Sequence, residues 1–171
     1  MEIRGLIRDI PDFPKKGIVF KDITPLLLNG AALRQAVDEL SGAFSKKKVD
    51  AVCAIEARGF ILGACVAYKL GAGFIPIRKP GKLPAECARL SYELEYGTDA
   101  VEMHKDAITE GKRILMIDDL LATGGTMRAA AELVTRLGGR VVGIGFLIEL
   151  AFLNGREKLK PYPVKSLVVC E

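Results

Sequence analysis

The residues best suited to chemistry lie in one stretch, residues 114–127, with the sequence ILMIDDLLATGGTM. Two adjacent carboxylates, Asp118 and Asp119, precede a turn of small residues at 122–126, Ala-Thr-Gly-Gly-Thr. Where such a turn leads into a helix, free backbone N–H groups and roughly half a positive charge from the helix dipole attract an anion. Glycine lets the backbone approach a phosphate closely, and threonine hydroxyls can donate to its oxygens. The turn therefore predicts a phosphate site.

The two aspartates ahead of the turn indicate that the ligand carries more than a phosphate. Carboxylates repel an anion, but they accept hydrogen bonds from a sugar diol and can hold Mg²⁺. An acidic strand end followed by an ordinary turn is the alternative interpretation. Because the strand, the acids and the glycine turn coincide in register, a sugar phosphate is the favoured ligand.

Alternating strand and helix patterns must position this stretch. Apolar residues 114–117 predict a buried strand that ends at the aspartates, and a helix should run from 127 toward 137. Further strands are predicted at 49–55, 73–77, 140–147 and 166–170, and further helices at 31–45 and 60–70. This alternation predicts one α/β domain with a mostly parallel central sheet flanked by helices, and with its ligand at the carboxyl ends of the strands.

Other segments are less regular. Two closely spaced prolines predict that residues 1–28 form an irregular surface arm. Residues 85–99 combine turn residues with alternating polarity, which predicts a mobile flap or a β-hairpin arm, continued by an edge strand at 101–106. Residues 149–159 are predicted to form a short helical turn. Gly143 lies inside a predicted strand and opens no helix, so a dinucleotide fingerprint is rejected.

Two basic segments outside the central stretch could also meet an anion. Arg58 lies at a predicted strand-to-helix turn ahead of Gly59, where its guanidinium could donate to two oxygens at once. A structural surface arginine explains this residue about equally well when it is considered alone. Arg78, Lys79 and Lys82 lie on a loop punctuated by proline and glycine, which fits either an anion-binding loop or a solvated one.

Length, charge and cysteine spacing restrict the function classes. A chain of 171 residues suits one domain with a substantial core, and a net charge of +4 suits small anionic ligands without arguing for nucleic acid. No apolar run is long enough for a membrane span, and the first residues do not resemble a secretory signal. The four cysteines show neither zinc-ligand nor disulfide spacing, which favours a reducing cytoplasm.

The string IDDLLATGGTM resembles the 5-phosphoribosyl-1-pyrophosphate (PRPP) signature of the type I phosphoribosyltransferase family, in the form carried by its adenine-specific members. Further segments resemble that branch in the same order, over roughly residues 10–170. They are VFKDITP, EARGF, RKPGKLP, SYELEYG and the pattern ExxxLxGREKL. Lys21, within VFKDITP, stands where many members have arginine.

The resemblance implies a type I phosphoribosyltransferase fold as a single domain, residues 1–171, with an N-terminal hood at about 1–28 and a mobile flap at about 83–104. It implies transfer of the phosphoribosyl group from PRPP to adenine, giving AMP and pyrophosphate in purine salvage, by a cytoplasmic homodimer. Mg²⁺ would be bound mainly through PRPP and pyrophosphate. A cis peptide bond is expected around Glu56–Ala57. No membrane or nucleic-acid partner is expected.

The resemblance also implies the role of each site residue. Catalytic roles fall to Glu95, Asp118, Asp119 and Arg58. The phosphate and ribose of PRPP or AMP would be held by Asp118, Asp119, Ala122, Thr123, Gly124, Gly125 and Thr126. The pyrophosphate would be bound by Arg58, Arg78, Lys79 and Lys82. Adenine would be contacted by Val19, Phe20, Lys21 and Leu150, and the flap would cover the site with Tyr96.

Two other functions use the same PRPP cradle. A transferase for a 6-oxopurine or for orotate shares it, although VFKDITP and SYELEYG favour adenine. A regulator of the same fold would bind PRPP and a nucleic acid without turnover. Such regulators usually carry an added DNA-binding domain, for which we expect no room in this chain, or a broad basic face, which the sequence leaves open.

Overall fold

A parallel sheet with helices on both faces forms the centre of the structure, a computed structural model that describes residues 2–94 and 97–171. In chain order the strands are β1 (Arg8–Ile10), β2 (Phe20–Asp22), β3 (Ala51–Ile55), β4 (Gly73–Ile77), β5 (Cys87–Glu93), β6 (Thr98–His104), β7 (Arg113–Leu121), β8 (Arg140–Leu150) and β9 (Val164–Cys170). The α-helices are α1 (Thr24–Leu28), α2 (Gly30–Ala43), α3 (Arg58–Leu70) and α4 (Gly125–Arg136). Five strands form the central sheet in the order β4-β3-β7-β8-β9, and each neighbouring pair is parallel. The predicted α/β fold class is confirmed.

The central strand β7 is buried on both faces. Ile114 and Met116 belong to the hydrophobic cluster that contains the apolar residues of α4. Leu115 and Ile117 belong to the opposite cluster, which contains the apolar residues of α2 and α3. Successive side chains of a strand point to opposite faces of its sheet, so a strand covered on both sides needs an unbroken apolar run. The run at 114–117 is therefore explained by two packed layers.

The glycines of β8 allow close packing around the sheet. A Cβ atom at Gly143 would lie 2.3 Å from Cε1 of Phe44, the buried residue that follows α2. A Cβ atom at Gly145 would lie 2.8 Å from Cδ1 of Ile117 on the neighbouring strand. Both glycines lie within β8 and open no helix, as the sequence pattern predicted.

Strand β7 extends beyond its predicted end. The apolar run predicted that the strand stops before the aspartates, but it continues to Leu121. Leu121 pairs with Glu149 of β8, which is itself longer than predicted. Asp118 and Asp119 therefore lie inside the strand. Their polarity concealed the extension, because the carboxyl end of a central strand can carry polar side chains when they face a ligand site.

The N-terminal region is not the irregular arm that its prolines predicted. It contains a 3₁₀ segment, Ile3–Leu6, the antiparallel pair of β1 and β2, and helix α1. Ile23 and Leu26 lie in the core. Pro25 occupies the first turn of α1, where a missing N–H group is tolerated because it would have no partner within the helix.

Two further boundaries differ from the sequence prediction. Residues 149–159 do not form one helical turn, because β8 continues to Leu150 and two 3₁₀ segments follow, Ala151–Leu153 and Gly155–Leu159. The edge strand predicted at 101–106 is β6, which ends at His104. Strand β6 begins at Thr98 and pairs with β5 in a separate antiparallel hairpin, which confirms the predicted hairpin arm.

The hairpin packs onto the core through its buried face. Leu90, Val101 and Met103 belong to the same hydrophobic cluster as the apolar side of α4. Within the described residues, no helix combines the length and apolar character needed to cross a membrane.

Replacing Gly143 with alanine should overpack the contact between β8 and Phe44. We expect Gly143→Ala to lower the free energy of unfolding by about 1–3 kcal/mol, measured by urea denaturation. Gly42→Ala on α2 is the matched control, because nothing lies within 4 Å of its Cβ position. That variant should be neutral or more stable by up to about 1 kcal/mol, since alanine favours a helix over glycine. Equal stabilities for the two variants would contradict the packing role of Gly143.

Candidate active site

A polar cavity of about 400 Å³ opens at the carboxyl ends of β3 and β7. It is lined by residues 55–58, Lys79, 118–127 and Phe146. Ligands of open α/β sheets bind at this edge, where loops leave the strands. The two aspartates and the complete turn predicted to bind phosphate are thus brought together around one space.

The turn at 122–126 has the local geometry of an anion-binding loop. Gly124 adopts a left-handed conformation with a φ of +79°, which favours glycine, and α4 begins at the next residue. The first N–H groups of α4 have no acceptors within the helix, and the helix dipole adds positive potential there. The backbone of this turn can therefore stabilise a bound phosphate.

The turn is packed against Gly155. A Cβ atom at Gly124 would lie 2.5 Å from the carbonyl oxygen of Gly155, and one at Gly155 would lie 2.1 Å from the carbonyl oxygen of Ala122. Neither position can accept a side chain without moving the backbone. Sequence reasoning missed Gly155 as a site residue, although the Asn154-Gly155 dipeptide is typical of a turn and Asn154 has a φ of +52°.

Asp118 and Asp119 lie beside the start of α3. The backbone N–H of Asp119 donates to Oδ1 of Asp118 at 2.9 Å. Gly59 makes room for this carboxylate, because a Cβ atom there would lie 2.6 Å from the same oxygen. Asp119 is 6% exposed, and its Oδ2 has no hydrogen-bond partner in the described part of the chain. A buried carboxylate oxygen in this state is available to a ligand hydroxyl or cation.

Both carboxylates resist ionisation. Burial raises the pKa of Asp118 well above its ordinary value, and the nearby charge of Asp119 raises it further. Burial also raises the pKa of Asp119, although the Arg58 guanidinium opposes this rise. Perturbed carboxylates that line a cavity are typical of functional sites.

Arg58 connects the polar cavity to the N-terminal region. Its Nε lies 2.9 Å from Oδ2 of Asp119, in an ion pair that lacks hydrogen-bond alignment. Its Nη1 donates to the backbone carbonyl of Lys21 at 3.2 Å. Its guanidinium carbon also lies 4.6 Å from the centroid of the Phe20 ring, a favourable cation–π distance. One side chain thus contacts a catalytic candidate and two residues predicted to bind the base.

Glu56 holds the loop that carries Arg78, Lys79 and Lys82, the basic loop. Its carboxylate accepts from the backbone N–H of Lys79 at 2.6 Å and from Nη2 of Arg78 at 3.1 Å. Burial alone would raise the pKa of Glu56, but these donors lower the pKa below its ordinary value. The Glu56–Ala57 peptide bond is cis, which confirms the expectation from the resemblance.

Lys79 belongs to a network that joins the hairpin to the phosphate turn. Its ammonium donates to the carboxylate of Asp99 and, at 3.1 Å, to the hydroxyl of Tyr92. That hydroxyl lies 3.1 Å from Oδ2 of Asp99 and 3.1 Å from Oγ1 of Thr126. Burial would lower the pKa of Lys79, but the contacts with Asp99 and Tyr92 raise it overall. Sequence reasoning also missed Tyr92 and Asp99 as site residues. The alternating polarity of residues 85–99 was the available signal.

A second, mostly apolar cavity of about 630 Å³ lies next to the first. All four residues predicted to contact adenine line it: Val19, Phe20, Lys21 and Leu150. The ring of Phe20 meets Phe13 edge-on, with centroids 5.2 Å apart. The ammonium of Lys21 lies 2.7 Å from the carboxylate of Asp9 on the paired strand, so this side chain braces the hairpin of β1 and β2.

Some predicted site residues are not brought into these cavities. Arg78 is directed to Glu56 and to the backbone carbonyl of Lys82, and Lys82 itself is exposed. Neither occurs among the residues described as lining the two cavities. Glu95 and Tyr96 lie outside the described residues.

Comparisons with known sequences converge on one family. Residues 26–170 match the family model described as Phosphoribosyl transferase domain. An adenine phosphoribosyltransferase from a Thermoanaerobacter species is 58% identical, over 98% of this chain and 96% of its own length. An adenine phosphoribosyltransferase from Thermotoga petrophila is 54% identical over 99% of both chains.

Solved structures give the same result. The adenine phosphoribosyltransferase of Thermoanaerobacter pseudethanolicus has a TM-score of 0.96 at 56% identity, covering 98% of both chains. The Saccharomyces cerevisiae enzyme, complexed with D-2,5-dideoxy-2,5-imino-altritol 1,6-bisphosphate and adenine, has a TM-score of 0.89 at 41% identity. That match covers 95% of this chain and 94% of the yeast one.

Replacing Asp118 with asparagine should stabilise the fold at neutral pH. Because the pKa of Asp118 is raised in the folded protein, the native state loses stability as the pH rises above the ordinary value of 3.8. Asparagine has no charge to bury. We expect Asp118→Asn to have a higher free energy of unfolding than the wild type at pH 7, with a difference that shrinks toward pH 4. Urea denaturation across this range measures both.

Asp38→Asn is the control for this stability prediction. Asp38 is exposed on α2 and pairs with Lys69, so its replacement should give no comparable gain at pH 7. An Asp118→Asn protein that is no more stable than the wild type at pH 7 would show that burial of this carboxylate carries no cost.

Proposed function

This chain belongs to the phosphoribosyl transferase family, and we propose that it transfers the phosphoribosyl group of PRPP to adenine, giving AMP and pyrophosphate. Relatives at 54% and 58% identity over nearly the full chain are adenine phosphoribosyltransferases. In this pentosyl transfer, the bond between C1 of the ribose and the pyrophosphate breaks, and a bond from C1 to a nitrogen of adenine forms. The reaction belongs to purine salvage.

The junction of two unlike cavities carries the proposal. The polar cavity contains a phosphate turn, two carboxylates and basic groups, whereas the adjoining cavity is mostly apolar. Arg58, Leu120 and Ala122 line both. A reaction that joins a charged sugar phosphate to a planar base needs two such neighbouring spaces, because the reacting atoms must lie within bonding reach.

Asp118 and Asp119 are proposed to face the ribose. Their carboxylates would accept from its hydroxyls, and in their ionised form they would favour the positive charge that develops on the sugar as the C1–pyrophosphate bond breaks. Residues 122–126 would hold the 5′-phosphate through backbone N–H groups and threonine hydroxyls. Fixed charges in a site with little water stabilise such a transition state more than water does, so electrostatics should supply most of the acceleration.

The basic residues are proposed to stabilise the departing pyrophosphate. Arg58 and Lys79 line the polar cavity, which supports this role. Arg78 and Lys82 lie on the same loop as Lys79 and carry the role by resemblance. A family dimer in which this loop reaches the neighbouring site would use them there, and we include a cytoplasmic homodimer in the proposal.

Mg²⁺ belongs to the proposal as a companion of PRPP. Across residues 2–94 and 97–171, no group of three or more His, Cys, Asp and Glu side chains is placed to hold a metal ion. Asp118 and Asp119 fit a cation that arrives with the substrate and keeps most of its ligands there, because Oδ2 of Asp119 is buried without a hydrogen-bond partner, although Arg58 forms an ion pair with it. Once bound, Mg²⁺ would neutralise charge on the leaving pyrophosphate.

Adenine is proposed to lie between Phe20 and Leu150, with the backbone at Val19 and Lys21 contacting its polar edge. The contacts of Arg58 with Phe20 and with the Lys21 carbonyl support this placement, because they fix the wall of the apolar cavity. The hood at about 1–28 and the flap at about 83–104 would exclude water that otherwise hydrolyses PRPP. Within this flap, Glu95 would move the imidazole-ring proton and Tyr96 would cover the site, and both roles rest on the resemblance.

A nucleobase competition assay tests the reaction. The purified protein with PRPP and Mg²⁺ should form AMP from adenine, and rates with hypoxanthine, guanine and orotate should be at least about 100-fold lower, since unmatched polar edges reject a base. Faster turnover of any of these three bases would contradict adenine specificity. Binding of RNA or DNA without turnover would instead favour a regulator of the same fold.

Asp119→Asn should lower turnover by about 100-fold or more, the scale of a lost electrostatic stabiliser. Asp106→Asn removes the charge of an exposed aspartate and should leave turnover unchanged. Glu95→Ala should keep PRPP binding and lose rate. Steady-state kinetics and PRPP binding are the measurements, and turnover near the wild-type value in both the Asp119 and Glu95 variants would overturn their roles.

A further inference from the structure

We propose that Arg156 is a positioning residue for the 5′-phosphate of PRPP, acting through Gly155 on the turn at 122–126. The inference rests on the proposed function, since it concerns the same phosphate site. Arg156 is not among the residues described as lining either cavity, so its effect must pass through the backbone that it holds.

The turn is in direct backbone contact with the 3₁₀ segment Gly155–Leu159. Gly155 and Gly124 approach so closely that a Cβ atom on either would collide with the carbonyl oxygen of the opposing segment. A Cβ atom at Gly155 would also lie 3.0 Å from Cδ1 of Leu121. Because backbone meets backbone, a shift of Gly155 cannot be absorbed by a flexible side chain and must move the turn.

An ion pair between Glu149 and Arg156 anchors that segment. Glu149 is 6% exposed and accepts from Nε of Arg156 at 3.0 Å, from Nη2 of Arg156, and from the hydroxyl of Ser166 at 2.5 Å. Nη1 of Arg156 donates to the carbonyl of Val164 at 2.9 Å. The Arg156 guanidinium holds the pKa of Glu149 below its ordinary value in spite of burial. A charged pair with two parallel hydrogen bonds fixes both position and orientation.

Both partners of the pair, Glu149 and Arg156, lead directly to the turn. Glu149 is the strand partner of Leu121, the residue before Ala122. Arg156 directly follows Gly155. The pair therefore links the strand that enters the turn to the segment that packs on it. Without the guanidinium, Glu149 keeps a buried charge, and among the described residues only the Ser166 hydroxyl remains as its side-chain partner, which favours rearrangement of the segment.

Movement of the turn should affect one end of the polar cavity more than the other. Its basic end is held by Glu56 and Lys79, which come from other loops and share no hydrogen bond with Arg156 or Glu149 among the described residues. Lys79 reaches the turn indirectly, through the Tyr92 hydroxyl that contacts Thr126. A displaced turn should therefore weaken binding of the 5′-phosphate far more than binding of the pyrophosphate. A general loss of stability would not separate the two ligands in this way.

Arg156→Ala and Arg156→Lys test the inference by steady-state kinetics and by calorimetric titration with ribose 5-phosphate and with pyrophosphate. For Arg156→Ala we expect the KM for PRPP and the Kd for ribose 5-phosphate to rise about 10-fold or more, as misplacement of a binding group does. The Kd for pyrophosphate and the KM for adenine should stay within about twofold, because those contacts are separate. Arg156→Lys keeps the charge but loses the paired donors, so it should fall between Arg156→Ala and the wild type.

Arg136→Ala is the matched control. Arg136 pairs with Glu132 on α4, the helix that follows the turn, but both side chains are exposed. All four constants should match the wild type in that variant. Ser166→Ala removes one hydrogen bond from Glu149 and should shift the same two constants by a smaller factor, which keeps the test decisive if Arg156→Ala does not fold.

Two results would overturn the inference. One is an equal change in the constants for ribose 5-phosphate and pyrophosphate. The other is a lower melting temperature with all constants unchanged, which would mean a purely structural role. A wild-type protein that forms no AMP would refute the proposed function instead, and the contrast between the two titrated ligands would still decide the positioning role.

Discussion

The close packing of two adjacent carboxylates near the carboxyl end of β7, Asp119 buried and Asp118 half-buried, is the constraint on which the rest of the site depends. Two like charges with little water around them are unfavourable, and the surroundings reduce that cost without removing it. Gly59 leaves the space that Asp118 needs, and Arg58 places a positive charge beside Asp119. Both come from the start of α3, so the packing of this helix also determines the electrostatic surroundings of the two acids. A fold chosen only for stability would not keep such a pair.

Arg58 extends this arrangement to the second cavity. Because it contacts Asp119, the Lys21 carbonyl and the Phe20 ring, the position of the N-terminal hairpin depends on the same charge that balances the acids. The hairpin has its own cross-strand ion pairs, Arg8 with Asp22 and Lys21 with Asp9. The wall of the apolar cavity is therefore set by local pairing within the hairpin and by the two long-range contacts that Arg58 makes with Lys21 and Phe20.

The sequence predicted those parts of the fold and site that are encoded locally. The apolar run of β7, the glycine turn and the start of α4 follow one another along the chain, and so do the residues around Glu56. Contacts between distant segments could not be predicted, because nothing in the pattern around Gly155 or Tyr92 names the turn as a partner. The prediction for the N-terminal region was wrong for another reason. Its prolines indicate breaks, but one of them begins a helix, and its buried residues are too irregularly spaced to show periodicity.

The network of Lys79, Asp99, Tyr92 and Thr126 has a consequence for ligand choice. The lysine ammonium and the threonine hydroxyl already have partners on the hairpin, so any incoming anion competes with an internal substitute. On the proposed function, PRPP would offer a monoester to the turn and a diphosphate to Lys79, so one binding event would replace both contacts. The hairpin thus satisfies both donors before a ligand arrives, and the ligand must offer them better acceptors than the hairpin does.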